Sequence, residues 1–232
     1  KPLSYPHSDR LVGVWYKAPG INVPKLQMAE SLYFIAREQS KTLDDIGLYN
    51  FATFSLTGGA QPEQVHGLEV SDGTLPLLGV HPAYGRLFNK RDDLPDGTKT
   101  ALLTYGYWQR HYGGDPAVIG RTLTLGGNTH DIIGILPKDF HFLDEDFADV
   151  IVPLQINRSE MKLGNFQYGC IVRLKPGVTL QEASADLQRL VVVTNHSFAA
   201  PQGFSEALFE KANFTVDLHP LKSDVVGDIG NV

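Results

Sequence analysis

Two hydrophobic periods alternate along the chain. Residues 11–16 (Leu-Val-Gly-Val-Trp-Tyr) form a short apolar, β-favouring run bounded by Arg10 and by Pro19-Gly20, which predicts a strand. Leu26, Ala29, Leu32, Tyr33 and Ala36 then recur at helical spacing, so residues 26–39 are expected to form a helix. Residues 46–54 return to strand character and close at Thr57-Gly58-Gly59. The far end repeats the scheme. Residues 168–174 predict a strand, and Pro176-Gly177 turns it. Thr179 with Glu182 has the spacing of a capping box, where hydroxyl and carboxylate satisfy each other's orphan backbone donors. The helix that follows carries Leu180, Ala183, Leu187, Leu190 and Val191 on one face. Residues 214–218 alternate as a half-buried strand does.

The middle has another texture. Residues 100–104 predict a strand and 105–112 a short aromatic helix stopped by Gly113-Gly114. Asp115-Pro116 restarts the chain in cap-then-proline order. Residues 121–125 and 129–136 flank Gly126-Gly127-Asn128, a strong hairpin signal, and 149–154 predict one more strand. Two β-α-β patterns at opposite ends of a long, strand-rich middle predict a split α+β core interrupted by an insertion.

Composition narrows the functional classes. With 42% hydrophobic and 20% charged residues, the 232-residue chain is neither a disordered tail nor a coiled-coil rod and can bury a sizeable core. Lys plus Arg is 20 and Asp plus Glu is 26, a formal charge of −6 with no bulk attraction for phosphate backbones, so no nucleic-acid partner is expected. No apolar run approaches the roughly 18–20 residues that cross a bilayer. No signal peptide is recognisable, and the chain begins at Lys1, the pattern of an excised piece.

Candidate chemistry mostly falls away on inspection. Cys170, the one cysteine, lies in a strand-like run with no local base or cationic setting and reads as a buried small side chain. Gly114 to Thr122 resembles a phosphate loop only superficially: five residues separate its glycines, one is proline, arginine replaces lysine, and a hairpin strand follows. The acidic stretch 139–149 fails as an EF-hand loop, because counting from Asp144 puts Asp149 where glycine is required and Gln155 where the bidentate glutamate belongs. The histidines His66, His81, His130 and His141 show no metal-ligand spacing, and no Gly-x-Ser-x-Gly elbow occurs. Trp15, Tyr33, Phe34, Tyr105, Tyr107 and Trp108 are read as packing residues before ligand-stacking ones. No catalytic, cofactor-binding or metal residue is nominated, and no cofactor.

Several longer motifs run in a telling order. Leu3-Ser-Tyr-Pro-His-Ser-Asp-Arg-Leu-Val12 opens the series, followed by Leu56-Thr-Gly-Gly and Pro62-Glu-Gln-Val-His-Gly. Next come Leu78-Gly-Val-His-Pro-Ala-Tyr-Gly-Arg-Leu-Phe88, Leu103-Thr-Tyr-Gly-Tyr-Trp-Gln-Arg110 and Gly113-Gly-Asp-Pro-Ala-Val-Ile-Gly-Arg-Thr-Leu-Thr-Leu125. Ile133-Gly-Ile-Leu-Pro-Lys-Asp-Phe-His-Phe142, Leu174-Lys-Pro-Gly-Val-Thr-Leu180 and Val225-Val-Gly-Asp-Ile229 complete it. Together they resemble the periplasmic core domain of MacB-like ABC transporter permeases, particularly the acidobacterial orphan permeases. Tyr33-Phe34 departs from the usual start of the family's first helix, and residues 230–232 no longer track it.

The resemblance implies a periplasmic domain strung between two membrane helices at the inner membrane. Residues 1–72 and 163–232 would be the two halves of a porter-like core, and 73–162 an inserted mostly-β subdomain. It also implies partners: the flanking transmembrane helices of the same chain, a separate or fused ABC ATPase, and a second permease copy or periplasmic partner protein. The family's ATP-binding residues lie in a separate domain or subunit, so the resemblance supplies no catalytic residue. The expected function is non-catalytic coupling of ATPase-driven helix motion to substrate or partner handling. The competing expectations are a periplasmic carbohydrate-acting hydrolase, needing two facing carboxylates of unequal pKa, and a stand-alone ligand- or protein-binding module.

Overall fold

A computed structural model describes residues 3–58, 62–143 and 147–227. The chain divides into two compact units, one made of residues 1–48 with 157–232 and the other of 49–156.

The first stretch of the first unit runs β1 (Leu11–Ala18), β2 (Val23–Leu26), β3 (Met28–Ala29), α1 (Glu30–Gln39) and the start of β4 (Leu43–Thr57). The predicted helix over 26–39 therefore loses its first turn to strand. The backbone of Met28 and Ala29 pairs with Tyr168 and Phe166 instead. The predicted strand 46–54 extends at both ends to become the fifteen-residue β4, which carries the chain from the first unit into the second.

The second unit contains the rest of β4, then β5 (Glu63–Val70), α2 (Thr74–Leu77), β6 (Tyr84–Gly85), β7 (Thr100–Leu103), α3 (Tyr105–Tyr112), β8 (Thr122–Leu125), β9 (Asn128–Ile135) and β10 (Val150–Pro153). β4 pairs with β5, β5 with β10, β10 with β7 and β7 with β9. The β8–β9 hairpin then returns to β4, where Leu56 faces Leu125, so six strands close into a ring. Inside it lie Val65, Ala101, Leu103, Leu123, Leu125, Ile132, Ile135, Val150 and Val152. Phe54 lies over Gly67, and α3 adds Tyr107 and Trp108. The hairpin forms at Gly126-Gly127, both at positive φ (54° and 80°), as the sequence predicts. Thr104 caps α3, and Gly113 (φ 61°) ends it.

The chain re-enters the first unit through β11 (Phe166–Leu174), α4 (Leu180–Ser197), α5 (Glu206–Ala212), β12 (Thr215–Pro220) and α6 (Leu221–Gly227). Strand order here is β12-β1-β11-β4, with β1 antiparallel to both neighbours. Each β-α-β crossover (β1-α1-β4 and β11-α4-β12) skips one strand, and the two interleave as a split β-α-β fold. The capping box of Thr179 and Glu182 is present. Ala183, Leu187, Leu190 and Val191 are buried as expected, but Leu180, in the first turn, stays 37% exposed. The α+β class and the mostly-β insertion match the sequence reading. Unit boundaries fall at 48/49 and 156/157, whereas the expectation was 72/73 and 162/163. The first difference arises because β5 and the second half of β4 belong to the ring, and at the second Arg158 pairs with Glu38 of α1.

Candidate functional site

The feature of the first unit with most bearing on function is the seam between the chain's outer strands. β1 and β12 pair antiparallel from Val12↔Pro220 to Lys17↔Thr215. The chain therefore enters β1 and leaves β12 at one edge of the sheet. α6 folds directly from β12 back onto β1, where the Trp15 indole N–H donates to Asp224 Oδ2 at 2.9 Å. Gly13 makes room for this, since a Cβ there would collide with the Asp224 carboxylate. The Lys25 ammonium sits 3.8 Å from the Trp15 ring centroid, a cation–π contact.

Charge ties the two strands together at a second point. Lys17 Nζ lies 2.8 Å from Asp217 Oδ2, and His219 Nε2 lies 3.1 Å from the same oxygen. Burial alone raises the Asp217 carboxyl pKa, but the hydrogen bonds from Lys17 and His219 outweigh it and hold that carboxyl below its ordinary value.

Behind the seam, Asp186 on α4 fastens the turn between α1 and β4. Its Oδ2 accepts from Ser40 Oγ and Lys41 N–H, both at 2.8 Å, and from Thr42 Oγ1 at 3.1 Å, while Arg189 donates to Oδ1 at 2.9 Å. Burial raises this carboxyl, but these donors prevail and bring it down to about 2. Farther along, Arg158 forms a two-pronged pair with Glu38, and Glu30 accepts from both Asn165 and Tyr168.

In the second unit a polar hub organises the segment that follows β6. Arg86 donates to both oxygens of buried Asp92, at 2.6 and 3.0 Å. Gln155 Nε2 donates to the carbonyls of Asp92 and Gly97, and its backbone N–H to Asp93. Burial raises the Asp92 carboxyl, but Arg86 and the Asn89 N–H outweigh that and lower it. Sequence reading missed this hub. Its only local signal is the Asn89–Asp92 spacing.

Residues singled out from the sequence disperse. Cys170 is buried in β11, and burial pushes its thiol far up, the opposite of an activated nucleophile. In the acidic stretch, Asp149 accepts from Arg110 and from the His66 backbone N–H, while residues 144–146 lie outside the described residues. Among the described residues no group of three or more His, Cys, Asp or Glu is placed to hold a metal. His66 packs at a tilt against Phe147, and His130 is buried with its imidazole pKa lowered by desolvation. Tyr33, Tyr107 and Trp108 are core residues; Trp15, Phe34 and Tyr105 are only half-buried.

The sequence matches the family described as the MacB-like periplasmic core domain over residues 2–190. The chain belongs to that family. No curated protein matches it significantly. Two solved structures share the fold of this MacB-like domain. The periplasmic region of MacB from Actinobacillus actinomycetemcomitans aligns with a TM-score of 0.63 at 12% identity, covering 97% of this chain and 94% of that one. The extracellular domain of the noncanonic ABC-type transporter YknZ from Gram-positive bacteria aligns with a TM-score of 0.58 at 14% identity, covering 89% and 99%. The family consists of periplasmic domains of ABC transporter permeases. In this MacB-like domain, no helix among the described residues is long and apolar enough to cross a membrane.

Proposed function

We propose that this domain is a non-catalytic coupling element on the periplasmic face of the bacterial inner membrane. It lies between two transmembrane helices of its own chain and responds to an ABC ATPase bound or fused to the permease. The observation that carries the reading is the β1–β12 seam, which sets the start of β1 beside the end of β12. Displacement of two membrane helices would reach the domain at adjacent strands. Asp186 and the Glu30 and Glu38 pairs make the first unit stiff enough to pass that displacement on. A substrate or a periplasmic partner would respond only by binding one arrangement better than another.

The test uses the full permease with its ATPase, spin-labelled at exposed Gln181 in the first unit and Thr122 in the second. The label-to-label distance distribution is expected to differ with and without nucleotide. Identical distributions in both states refute coupling.

A further inference from the structure

Alternation along β1 puts Gly13, Trp15 and Lys17 on one face of the sheet, and the antiparallel register sets His219, Asp217 and Thr215 opposite them on that same face. On the other face Val12, Val14 and Tyr16 are buried. The Gly13 face is the thinly covered one, with Trp15 half-buried and Lys17 exposed. α6 packs on it. A Cβ built on Gly13 would point into the Asp224 carboxylate, so Asp224 lies over this face and Gly13 is buried beneath it. The helix starts without a linker, Leu221 following Pro220 of β12.

Leu221 is buried, and Asp224, one turn on along the same side of α6, bonds Trp15. Between them Lys222 and Ser223 are exposed. The polar anchor is of a kind that opens readily. Asp224 is half-buried, and both its carboxylate and the indole N–H regain water when they part, so the bond exchanges at small net cost. Gly13 has no side chain to grip the helix, and seven residues do not hold a helix alone in water. The seam beneath is a different joint. Its six residue pairs join β1 to β12 directly and do not run through α6.

We propose that α6 is a releasable strap. Docked on β1 at rest, it peels off the Gly13 face when the membrane helix that follows is displaced, while the β1–β12 seam stays closed. Asp224 and Trp15 are positioning residues in this device, and Gly13 is the seat that lets the carboxylate reach the indole. The strap rests on the coupling reading and supplies its moving part.

The test is a removable lock. The Cβ built on residue 13 lies 3.7 Å from Asp224 Cβ, inside the roughly 3.5–4.5 Å of disulfides. Buried Cys170 stays out of the exchange. The folded chain carrying Gly13→Cys and Asp224→Cys is expected to cross-link readily with diamide, and failure to do so overturns the proposal. In the full permease with its ATPase, nucleotide is expected to slow that cross-linking about tenfold or more, the loss of one charged hydrogen bond's worth of docking. Equal rates in both states, beside a nucleotide-dependent Gln181-to-Thr122 distance in the spin-labelled permease, overturn the strap and leave coupling standing. Slowed cross-linking beside identical distances upholds the strap and refutes coupling to the second unit. Should the double variant not fold, Asp224→Ala decides by hydrogen exchange. The Trp15 indole N–H is expected to exchange about tenfold faster with the β1 and β12 amides unchanged. An unchanged indole rate, or loss of protection along the seam, overturns the proposal.

Discussion

The first unit is stitched from segments far apart in the chain, whereas the second is one continuous stretch. In the first, Trp15 bonds Asp224 across 209 residues, Ser40 bonds Asp186 across 146, and Asn165 bonds Glu30 across 135. In the second, the Arg86–Asp92 pair spans 6 residues, the Gln155 contacts span 56–63, and His66 to Asp149 spans 83. Long closures cost loop entropy before they yield contacts, so the first unit cannot complete its sheet until β12 arrives. The ring can close from its own sequence. The polar links of the first unit therefore act as clasps between remote segments, while the hub of the second organises the single segment after β6.

The severest challenge to this contrast is a matched pair of core truncations. Leu103→Ala inside the ring and Ile171→Ala in β11 remove fully buried side chains, and each is expected to cost about 2–5 kcal/mol. If the units are separate cooperative bodies, hydrogen exchange will show each variant loosening its own unit and sparing the other. Uniform loss of protection throughout would erase the distinction.

Next in size is Asp186→Ala, expected to lower the stability of the first unit by roughly 2–3 kcal/mol. Three donors at the α1–β4 turn, two of them on half-buried Ser40 and Thr42, lose their charged acceptor together. Cys170 supplies a readout specific to that unit: buried in β11, it should react with a thiol reagent faster in the variant.

Acid should divide the units in the same direction. Asp186 titrates at about 2 when folded against 3.8 as its ordinary value, so its contribution is complete above pH 4 and is lost as pH falls through 2. Asp217 is lowered in the same sense, and among the described carboxylates of the second unit Asp92 is the counterpart. Urea midpoints measured between pH 5 and pH 2, with exchange resolved by unit, should fall further for the first. The smallest effect carries the opposite sign. Thr100→Val should raise the melting temperature, by a stability gain of about 1 kcal/mol, because it replaces an unsatisfied hydroxyl with a methyl.

What could be seen in the sequence was what local physics decides. The capping box at Thr179, the Gly126-Gly127 hairpin, the α3 stop at Gly113 and the buried stripe of α4 each depend on residues within one or two turns. β5 escaped notice because Glu-Gln-Val-His-Gly-Leu-Glu-Val mixes charge and glycine, and Gly67 makes sense only beneath the Phe54 ring. Ring closure between Leu56 and Leu125 is a pairing of remote strands without a local signature. The same limitation set the expected boundary at 72/73: with β5 unseen, nothing marked where the ring begins. Helical spacing over 26–29 misled because β3 is claimed by a partner some 140 residues away. The β7–β9 pairing was invisible for a related reason, since Thr100 and Asp131 become neighbours only through that parallel contact.

The seam between β1 and β12 also has a mechanical anisotropy. Its bonds run perpendicular to the strands, so sliding one strand lengthwise past the other strains all six residue pairs together. Spreading the two ends sideways loads only Val12–Pro220, then Gly13–His219, and peels the pairs one at a time. Such a joint is strong against a piston stroke and weak against prying, with Asp224 clasping Trp15 a few residues beyond the point where prying would begin.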